Sequence, residues 1–333
     1  MNDKRRFWMG TGRVALLAMA GIATLSCATQ QARAPEAPLV PIRVAGARWI
    51  ELSPVVTAAN SFYPQKLNVA SGGVVSITRN EADLATNAET QLLRESVNNP
   101  DLRIIMTVSE SFYRLVGRRS AGISKLSDLK GKRVLTFRNT SAQYYLVAML
   151  RSAGLTEEDV TLVNLPPPPA GAPPNKFRLA DALANGEADV IATFEPEPEA
   201  AMRKLGKDGI VLQDKKVYRE AFNLHARAPD LADPEKRRAI VAFVKATAEA
   251  SRALKKDPKP YLAHVSSVIG FSEEEIGWGW PETEFPIHII PDMLDVLEIE
   301  EKWVAKERNR TPRTRAELAR FIDRSVVEEA LKK

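Results

Sequence analysis

Three polar residues, Asn139, Thr140 and Ser141, stand where an apolar strand gives way to an amphipathic helix. The strand is predicted over 133–137, and Thr140 or Ser141 is the expected N-cap of the helix. Such a helix start leaves backbone N–H groups and the positive end of the helix dipole facing outward. At the carboxyl end of a parallel strand it forms a pocket for a small polar or anionic group. The three residues are therefore the first candidates for ligand contact.

Carboxylates and aromatic rings follow other predicted strands. Glu110 comes after a buried strand and precedes Phe112 and Tyr113, and Trp49 and Glu51 follow the first strand of the chain. A carboxylate beside aromatic rings suits an amine, an amide or a flat ring. We therefore expect these residues to contact ligand. Four further candidates are Ser53, the expected cap of the first helix, Asn87 at the end of a predicted strand, Asn223 in the predicted return crossing, and Trp278 in the glycine-flanked segment GWGWPE.

Glu195 and Glu197 alternate with prolines in the segment EPEP. Prolines favour extended backbone, which would put both carboxylates on one side. Three interpretations remain open for the pair: a solvated acidic turn, ligand recognition by Glu195, or general acid–base catalysis.

Several kinds of chemistry find no support in the sequence. Cys27 is the only cysteine, so the mature body has no disulfide, cysteine zinc site or thiol nucleophile. The three histidines are far apart and show no metal-binding spacing, and no phosphate-binding or dinucleotide-binding glycine motif is present. No cofactor or metal is expected. No basic run is interleaved with aromatics, and Lys302–Arg320 is expected to be a solvated face, so nucleic acid is not expected as a partner.

The amino terminus has the pattern of an export signal. Four basic residues within the first 13 precede the apolar run 14–25, which is too short to span a membrane. Cys27 either is lipidated or belongs to a small-residue cleavage site. The pair Arg5-Arg6 leaves two export routes open, the twin-arginine route and general secretion. We expect a signal over 1–27 and a flexible tether rich in alanine and proline over 28–41. The mature chain then has 43 basic and 41 acidic residues, a net charge of about +2.

Strands and helices alternate along the remaining chain, which indicates α/β structure with parallel sheets. A chain of 333 residues is too long for one ordinary domain, and two lobes are expected. The first crossing between the lobes is expected at Tyr113–Gly117, and the return at Tyr218–Leu224.

Two segments resemble a known family: "SDLKGKRV" with the strand and helix after it, and "ALANGEADVIATFEP". They are similar to type II periplasmic solute-binding proteins of ABC importers, in the group of nitrate, sulfonate, taurine and thiamine-precursor receptors. The resemblance implies a two-lobed α/β fold, with each lobe a mostly parallel sheet flanked by helices, joined by two hinge crossings. Lobe one would cover 42–117 and 223–333, and lobe two 118–222. It further implies a monomer of the periplasm or cell envelope that delivers a small molecule to an ABC permease.

The expected ligand is neutral, amine-bearing or aromatic rather than a simple anion. The candidate rim has no obvious arginine, and its acidic residues would repel a bare anion; they are Glu51, Glu89, Glu110, Glu195 and Glu197. Two alternatives stay open. One is an envelope receptor for lipid handling or sensing without import. The other is an enzyme similar to thiamine-pyrimidine synthases, which the lack of a cysteine-rich motif and the export signal disfavour.

Overall fold

The computed structural model describes residues 38–165 and 176–332. The predicted signal, the lipidation at Cys27 and the predicted tether up to residue 37 lie outside the described residues. From Leu39 onward the chain forms one unit that contains both sheets. Within the described residues, no helix has the length and apolarity needed to cross a bilayer.

The first sheet has six strands and forms lobe one with the helices packed on it. Its strand order is β11-β4-β10-β3-β1-β2. Strand β1 pairs in parallel with β2 and β3, whereas β10 is antiparallel to β3 and β4. The strands are β1 (Val44–Gly46), β2 (Val69–Ser71), β3 (Leu84–Ala88), β4 (Leu102–Ser111), β10 (Glu220–Arg227) and β11 (Thr283–Glu284).

The second sheet has five strands in the order β7-β6-β8-β5-β9 and forms lobe two. Strand β6 pairs in parallel with β7 and β8, and β5 is antiparallel to β8 and β9. The strands are β5 (Arg114–Arg118), β6 (Arg133–Thr136), β7 (Thr161–Leu162), β8 (Val190–Thr193) and β9 (Gly209–Leu212).

Helices cover both sheets, and their starts follow local capping rules. Asp233 accepts hydrogen bonds from two backbone N–H groups at the start of the longest helix, with proline at its first position. Helices α4 to α6 belong to lobe two and the others to lobe one. They are α1 (Ser53–Ser61), α2 (Val74–Thr78), α3 (Glu89–Glu95), α4 (Ser141–Ser152), α5 (Arg178–Ala184), α6 (Glu197–Leu205), α7 (Ala228–Ala232), α8 (Pro234–Lys256), α9 (Lys259–Ile269), α10 (Glu273–Gly279), α11 (Met293–Glu307), α12 (Arg315–Ala319) and α13 (Ser325–Leu331).

The two-lobed α/β fold is confirmed, but the expectation of mostly parallel sheets is wrong. Among the described strands, four of the nine pairs are parallel and five are antiparallel. The chain leaves each lobe at the sheet edge where β1, β3, β6 and β8 end, and it enters the other lobe at the same edge. A strand that enters there must run opposite to its neighbours, and β5 and β10 do so.

The side chain of Gln213 ties the two crossings together. Its Nε2 donates to the backbone oxygen of Tyr113 at 3.1 Å and to Glu282 Oε2 at 3.1 Å. Tyr113 lies between β4 and β5, and Gln213 follows β9. Strand pairing thus favours crossings near 112–113 and 213–219. The predicted lobe boundaries at 117/118 and 222/223 stay predictions. Each would cut a strand, since β5 begins before the first boundary and β10 begins before the second.

Two local expectations are also corrected. The segment after β8 is not extended through its second glutamate, because α6 begins at Glu197. That carboxylate accepts from the backbone N–H groups of Leu179 and Ala180, at 3.3 and 2.9 Å, at the start of α5. Ser53 is the first residue of α1 rather than its cap, and its hydroxyl donates to the Ile50 carbonyl at 2.6 Å.

Candidate functional site

A cavity of about 360 Å³ lies between the two sheets. Both lobes supply its walls, at the edge where the parallel strands end. Its lining residues from lobe one and the first crossing are Ala47, Trp49, Glu51, Asn87, Ala88, Gln91, Tyr113, Glu220 and Phe222. Those from lobe two are Arg138, Asn139, Thr140, Ser141 and Phe194. A volume of this size suits a small organic molecule.

Aromatic rings from both lobes meet at one wall of the cavity. The Trp49 ring lies 4.6 Å from the Phe194 ring in an edge-to-face arrangement, measured between centroids. Phe194 in turn lies 5.4 Å from Tyr113 and stacks on Phe137 at 5.2 Å. Such a wall favours a ligand with a flat or apolar part, and it offers ring faces to a cation.

Glu51 and Glu220 are the two acidic residues of the cavity lining. Ser141 Oγ donates to Glu220 Oε1 at 3.2 Å, and the Tyr113 hydroxyl lies 2.9 Å from Ser141 Oγ. Glu51 and Glu220 are only 3% and 4% exposed. Each keeps one buried carboxyl oxygen, Oε2, that has no hydrogen-bond partner among the described residues. A buried polar atom without a partner marks a place that a ligand group can satisfy.

A second buried acidic pair, Glu89 and Glu300, lies behind the cavity. Glu89 accepts from the Tyr218 hydroxyl at 2.9 Å and from the Ala221 N–H at 3.0 Å. Glu300 hydrogen-bonds to Glu89, and its own Oε2 is buried and has no hydrogen-bond partner in the described part of the chain. The backbone of Ala221 follows Glu220 directly, so the two acidic pairs are neighbours along β10.

Burial shifts the acid–base behaviour of these groups. It raises the pKa of Glu51 to about 7. It raises the pKa of Glu220 well above the ordinary value, and the nearby charges of Glu51 and Glu89 raise it further. Burial also raises the pKa of Glu89, and it raises that of Glu300 well above its usual range. Glu51 and Glu220, which line the cavity, therefore hold their protons to higher pH than an exposed glutamate does.

The start of α4 faces the cavity from lobe two, and the prediction of Thr140 as its N-cap is confirmed. Thr140 Oγ1 accepts from the Ala142 N–H at 3.1 Å. The N–H of Asn139 donates to Gln143 Oε1 at 2.7 Å, so this amide is already engaged. The N–H groups of Thr140 and Ser141 have no acceptor among the described residues. These two amides are the ones that can meet a ligand.

An arginine overlooked in the sequence, Arg138, stands at the mouth of the cavity. Its side chain is exposed and donates to the Leu162 carbonyl at 3.3 Å. Opposite it, Gln91 Nε2 donates to the Asn139 carbonyl at 2.9 Å, a contact from lobe one to lobe two. Asn139 has a positive φ of 60°, which asparagine tolerates better than most residues. The site therefore has a positive mouth and an acidic floor.

Seven of the predicted site residues line the cavity: Trp49, Glu51, Asn87, Tyr113, Asn139, Thr140 and Ser141. Among those that do not, Glu110 accepts from Arg219 Nε at 2.5 Å, and Glu195 accepts from Arg114 Nε at 2.6 Å. These arginines neutralise two of the carboxylates that were expected to repel an anion. Direct ligand contact by any of these residues stays a prediction.

The other predicted residues lie elsewhere in the fold. Lys215 lies over the ring of Phe112, 4.6 Å from its centroid, and Arg203 lies over Trp278 at 4.3 Å. Asn223 is buried within β10 and accepts from Thr107 Oγ1 at 2.9 Å. Ser53 is fully buried at the start of α1.

Sequence reasoning missed Glu220, Phe194, Gln91 and Arg138. Phe194 and Arg138 carried a signal, because each lies just beyond the carboxyl end of a parallel strand. Phe194 directly follows β8, and Arg138 is the second residue after β6. Glu220 carried none, because it is the first residue of an antiparallel strand whose register depends on partners more than 100 residues away.

Comparisons with known proteins agree with this geometry. Residues 70–260, more than half of the chain, match the family described as NMT1/THI5 like. The periplasmic aliphatic sulphonate binding protein SsuA of Escherichia coli is 17% identical, with a TM-score of 0.68 over 87% of this chain and 100% of that one. SsuA of Xanthomonas axonopodis pv. citri, bound to MOPS, is 14% identical, with a TM-score of 0.64 over 85% and 98%. The desulfurization enzyme DSZB shares the fold too, with 16% identity and a TM-score of 0.61 over 87% and 99%. The chain belongs to the NMT1/THI5-like family.

Proposed function

We propose that the protein is an extracytoplasmic receptor that captures a small organic ligand between its lobes and delivers it to an ABC importer. The observation that carries the proposal is the cavity whose walls come from both lobes. Two lobes joined by two crossings can close over a ligand, and residues on both sides supply the differential affinity that closure needs. The SsuA proteins, which share the fold, are sulphonate-binding proteins.

The lobes already touch on several sides of the cleft. Lys176 of lobe two forms an ion pair of 2.9 Å with Glu275 of lobe one, and it donates to the Gly270 carbonyl at 2.8 Å. Trp49 meets Phe194 across the cavity. A ligand that bridges the lobes would add its own contacts to these and so favour the closed form.

The ligand is proposed to be a neutral, amine-bearing or aromatic compound rather than a simple anion. The acidic floor, formed by Glu51 and Glu220, supports a donor-rich group on the ligand, and the ring of Trp49 supports a flat one. Arg138 at the mouth would interact with any acidic substituent that points outward. A bare anion would have to approach the acidic floor without a buried cation to offset it.

We propose binding without chemistry. The hydroxyl groups of the cavity, on Tyr113 and Ser141, lie beside each other and beside Glu220, whose burial-raised pKa keeps it protonated. A protonated carboxyl is no base for a hydroxyl nucleophile. Because the enzyme DSZB shares this fold, the fold alone does not decide the point.

The remaining assignments follow from the receptor proposal. We propose a monomer in the periplasm or cell envelope, tethered to the membrane only if Cys27 is lipidated. A lipid-handling or sensing receptor would use the same cavity. It would be distinguished by its partner, because an importer requires a permease and an ATPase.

Native mass spectrometry and small-angle scattering together test the receptor proposal. The mature protein, purified from its host under mild conditions, is expected to carry a small molecule that is lost on denaturation. Adding that compound to stripped protein should reduce the radius of gyration, and Trp49→Ala should weaken its binding. Trp280→Ala is the matched control, because Trp280 packs on Phe285 away from the cavity. A stripped protein that neither binds the compound nor contracts would contradict the proposal.

A further inference from the structure

The acidic floor of the cavity lacks a basic partner. Glu51 comes from the 3-10 turn before α1, and Glu220 is the first residue of β10. Neither forms an ion pair with a lysine or arginine among the described residues. Buried carboxyl groups are normally paired or hydrogen-bonded. Here each has an oxygen that is buried and has no hydrogen-bond partner.

The elements packed around the floor supply acids and hydroxyl groups. The first crossing contributes Tyr113 and α4 contributes Ser141. Behind β10, α3 contributes Glu89 and α11 contributes Glu300, with Tyr218 between them and Glu220. The further polar or ionisable groups near these two acidic pairs are Ser109 and Ser111 of β4 and Tyr144 and Tyr145 of α4.

The basic residues on the surrounding elements are committed elsewhere or stand at the mouth. Arg94 of α3 lies over the Trp303 ring, 5.0 Å from its centroid. Arg219 pairs with Glu110 and with Asp292. Lys215 pairs with Glu282 at 2.8 Å. Arg138 lies at the exposed mouth. Among the described residues, neither Glu51 nor Glu220 is therefore paired with a lysine or arginine, and an electrically neutral floor requires that these two groups bind protons.

We propose that the cavity binds a ligand bearing a flat or compact cation, such as an amidinium or a protonated amine, between Glu51 and Glu220, and that one proton leaves this pair for the solvent as the cation binds. This inference rests on the proposed receptor function and names its substrate class. In the exchange, the O–H bond of one carboxyl group breaks and its proton passes to water, while the ligand keeps its own protons. One positive charge replaces another, so the floor stays neutral in both states.

The geometry explains why the exchange is favourable. An amidinium presents parallel N–H donors, which match carboxylate oxygens and would use the oxygens that now have no partner. The cation would also lie beside the ring of Trp49. A neutral ligand of the same shape could use these contacts without releasing a proton. The release of a proton is therefore the distinguishing property.

Benzamidine, benzamide and benzoate form a matched probe set, with the same ring and nearly the same shape but positive, neutral and negative charge. Calorimetry of the mature protein with benzamidine, in two buffers of different ionisation enthalpy, should show about one proton released per ligand near pH 6. The dissociation constant should fall about tenfold for each pH unit between 5.5 and 6.5, where benzamidine stays cationic. The dissociation constant of benzamide should stay nearly constant.

Glu220→Gln and Glu51→Gln should each reduce or abolish the proton release and flatten the pH dependence of benzamidine binding. Two variants are used because one of them may lose its fold, which circular dichroism will show. Glu298→Gln, on the outer face of α11 beside Arg315, is the matched control and should behave as the unchanged protein. Benzamidine binding without proton release, or the absence of benzamidine binding up to millimolar concentration, would overturn the inference. If benzamidine fails to bind while benzoate or a copurified neutral compound binds and contracts the protein, the receptor function stands while this inference fails.

Discussion

Ser141 of lobe two donates a hydrogen bond of 3.2 Å to Glu220 of lobe one at the floor of the cavity. The hydroxyl belongs to the first residue of α4, and the carboxyl group belongs to the first residue of β10. This one contact joins the helix start that faces the cavity to the acid that carries the proposed proton exchange. Changes at Ser141 should therefore affect ligand binding more than folding.

Ser141→Ala removes this donor without adding bulk. We expect ligand affinity to fall about fivefold to twentyfold, because a hydrogen bond to a carboxyl group that becomes charged is lost at the floor. The midpoint of thermal unfolding should shift by only a few degrees. Ser152→Ala is the matched control on the same helix, since the Ser152 hydroxyl donates to the Met149 carbonyl at 2.8 Å far from the cavity. Equal affinities for Ser141→Ala and the unchanged protein would contradict this role.

Arg114→Met should destabilise the fold rather than alter ligand preference. Arg114 pairs with Glu195, which is 5% exposed, and removing one member of a buried ion pair leaves a charge without its partner. Losses of about 3 kcal/mol are typical of this change. Denaturant unfolding measures the loss, and Arg315→Met, at a surface ion pair with Glu298, is the control with a loss of less than about 1 kcal/mol. A large change in affinity with unchanged stability would instead favour the sequence-based assignment of Glu195 to ligand recognition.

Gln213→Ala should loosen the link between the two crossings. The variant loses the hydrogen bonds from Nε2 to the Tyr113 carbonyl and to Glu282. We expect a larger radius of gyration for the empty protein and weaker binding, because a more open ensemble leaves less of the closed form to bind ligand. Gln65→Ala is the control, since Gln65 Nε2 also donates to a backbone carbonyl, that of Leu39, away from the crossings. Scattering curves that coincide for the two variants would show that Gln213 does not restrain the lobes.

The stability of the empty protein should fall as the pH rises from about 4.5 through 7. Burial raises the pKa of Glu51 and Glu197 to about 7, above the value of about 4.3 for an unfolded glutamate. An acid that holds its proton more tightly when folded stabilises the fold at low pH. That contribution is lost as the pH rises through the folded pKa, by up to about 1.4 kcal/mol per pH unit for each group. Urea unfolding at several pH values measures the slope, and a flat or rising profile over this range would contradict the assignment.

The cap of α4 could be predicted from sequence because it depends on neighbours within three residues. Thr140 follows a strand and its side chain reaches Ala142, so the local pattern suffices. The role of Glu195 could not be predicted, since its partner Arg114 lies 81 residues earlier and meets it only through the pairing of β5 with β8. The same holds for Glu220, whose position at the cavity depends on β10 entering the first sheet from the cleft edge. Local rules identified the helix start that faces the cavity, whereas the acidic floor depends on tertiary pairing.

Glu89→Gln should move the pH range over which benzamidine binds. The Tyr218 hydroxyl and the Ala221 N–H both donate to Glu89 and favour its carboxylate form. Burial raises the pKa of Glu300 well above its usual range. The proton of the hydrogen bond between the two acids therefore stays on Glu300. The negative charge on Glu89 contributes to the raised pKa of Glu220. Without that charge, Glu220 should lose its proton more easily, and the midpoint of the affinity profile should move to lower pH. Titration calorimetry between pH 5 and 8 measures the midpoint, with Glu298→Gln as the exposed control. A midpoint that stays in place, in a variant with native circular dichroism, would show that the inner pair does not tune the floor of the cavity.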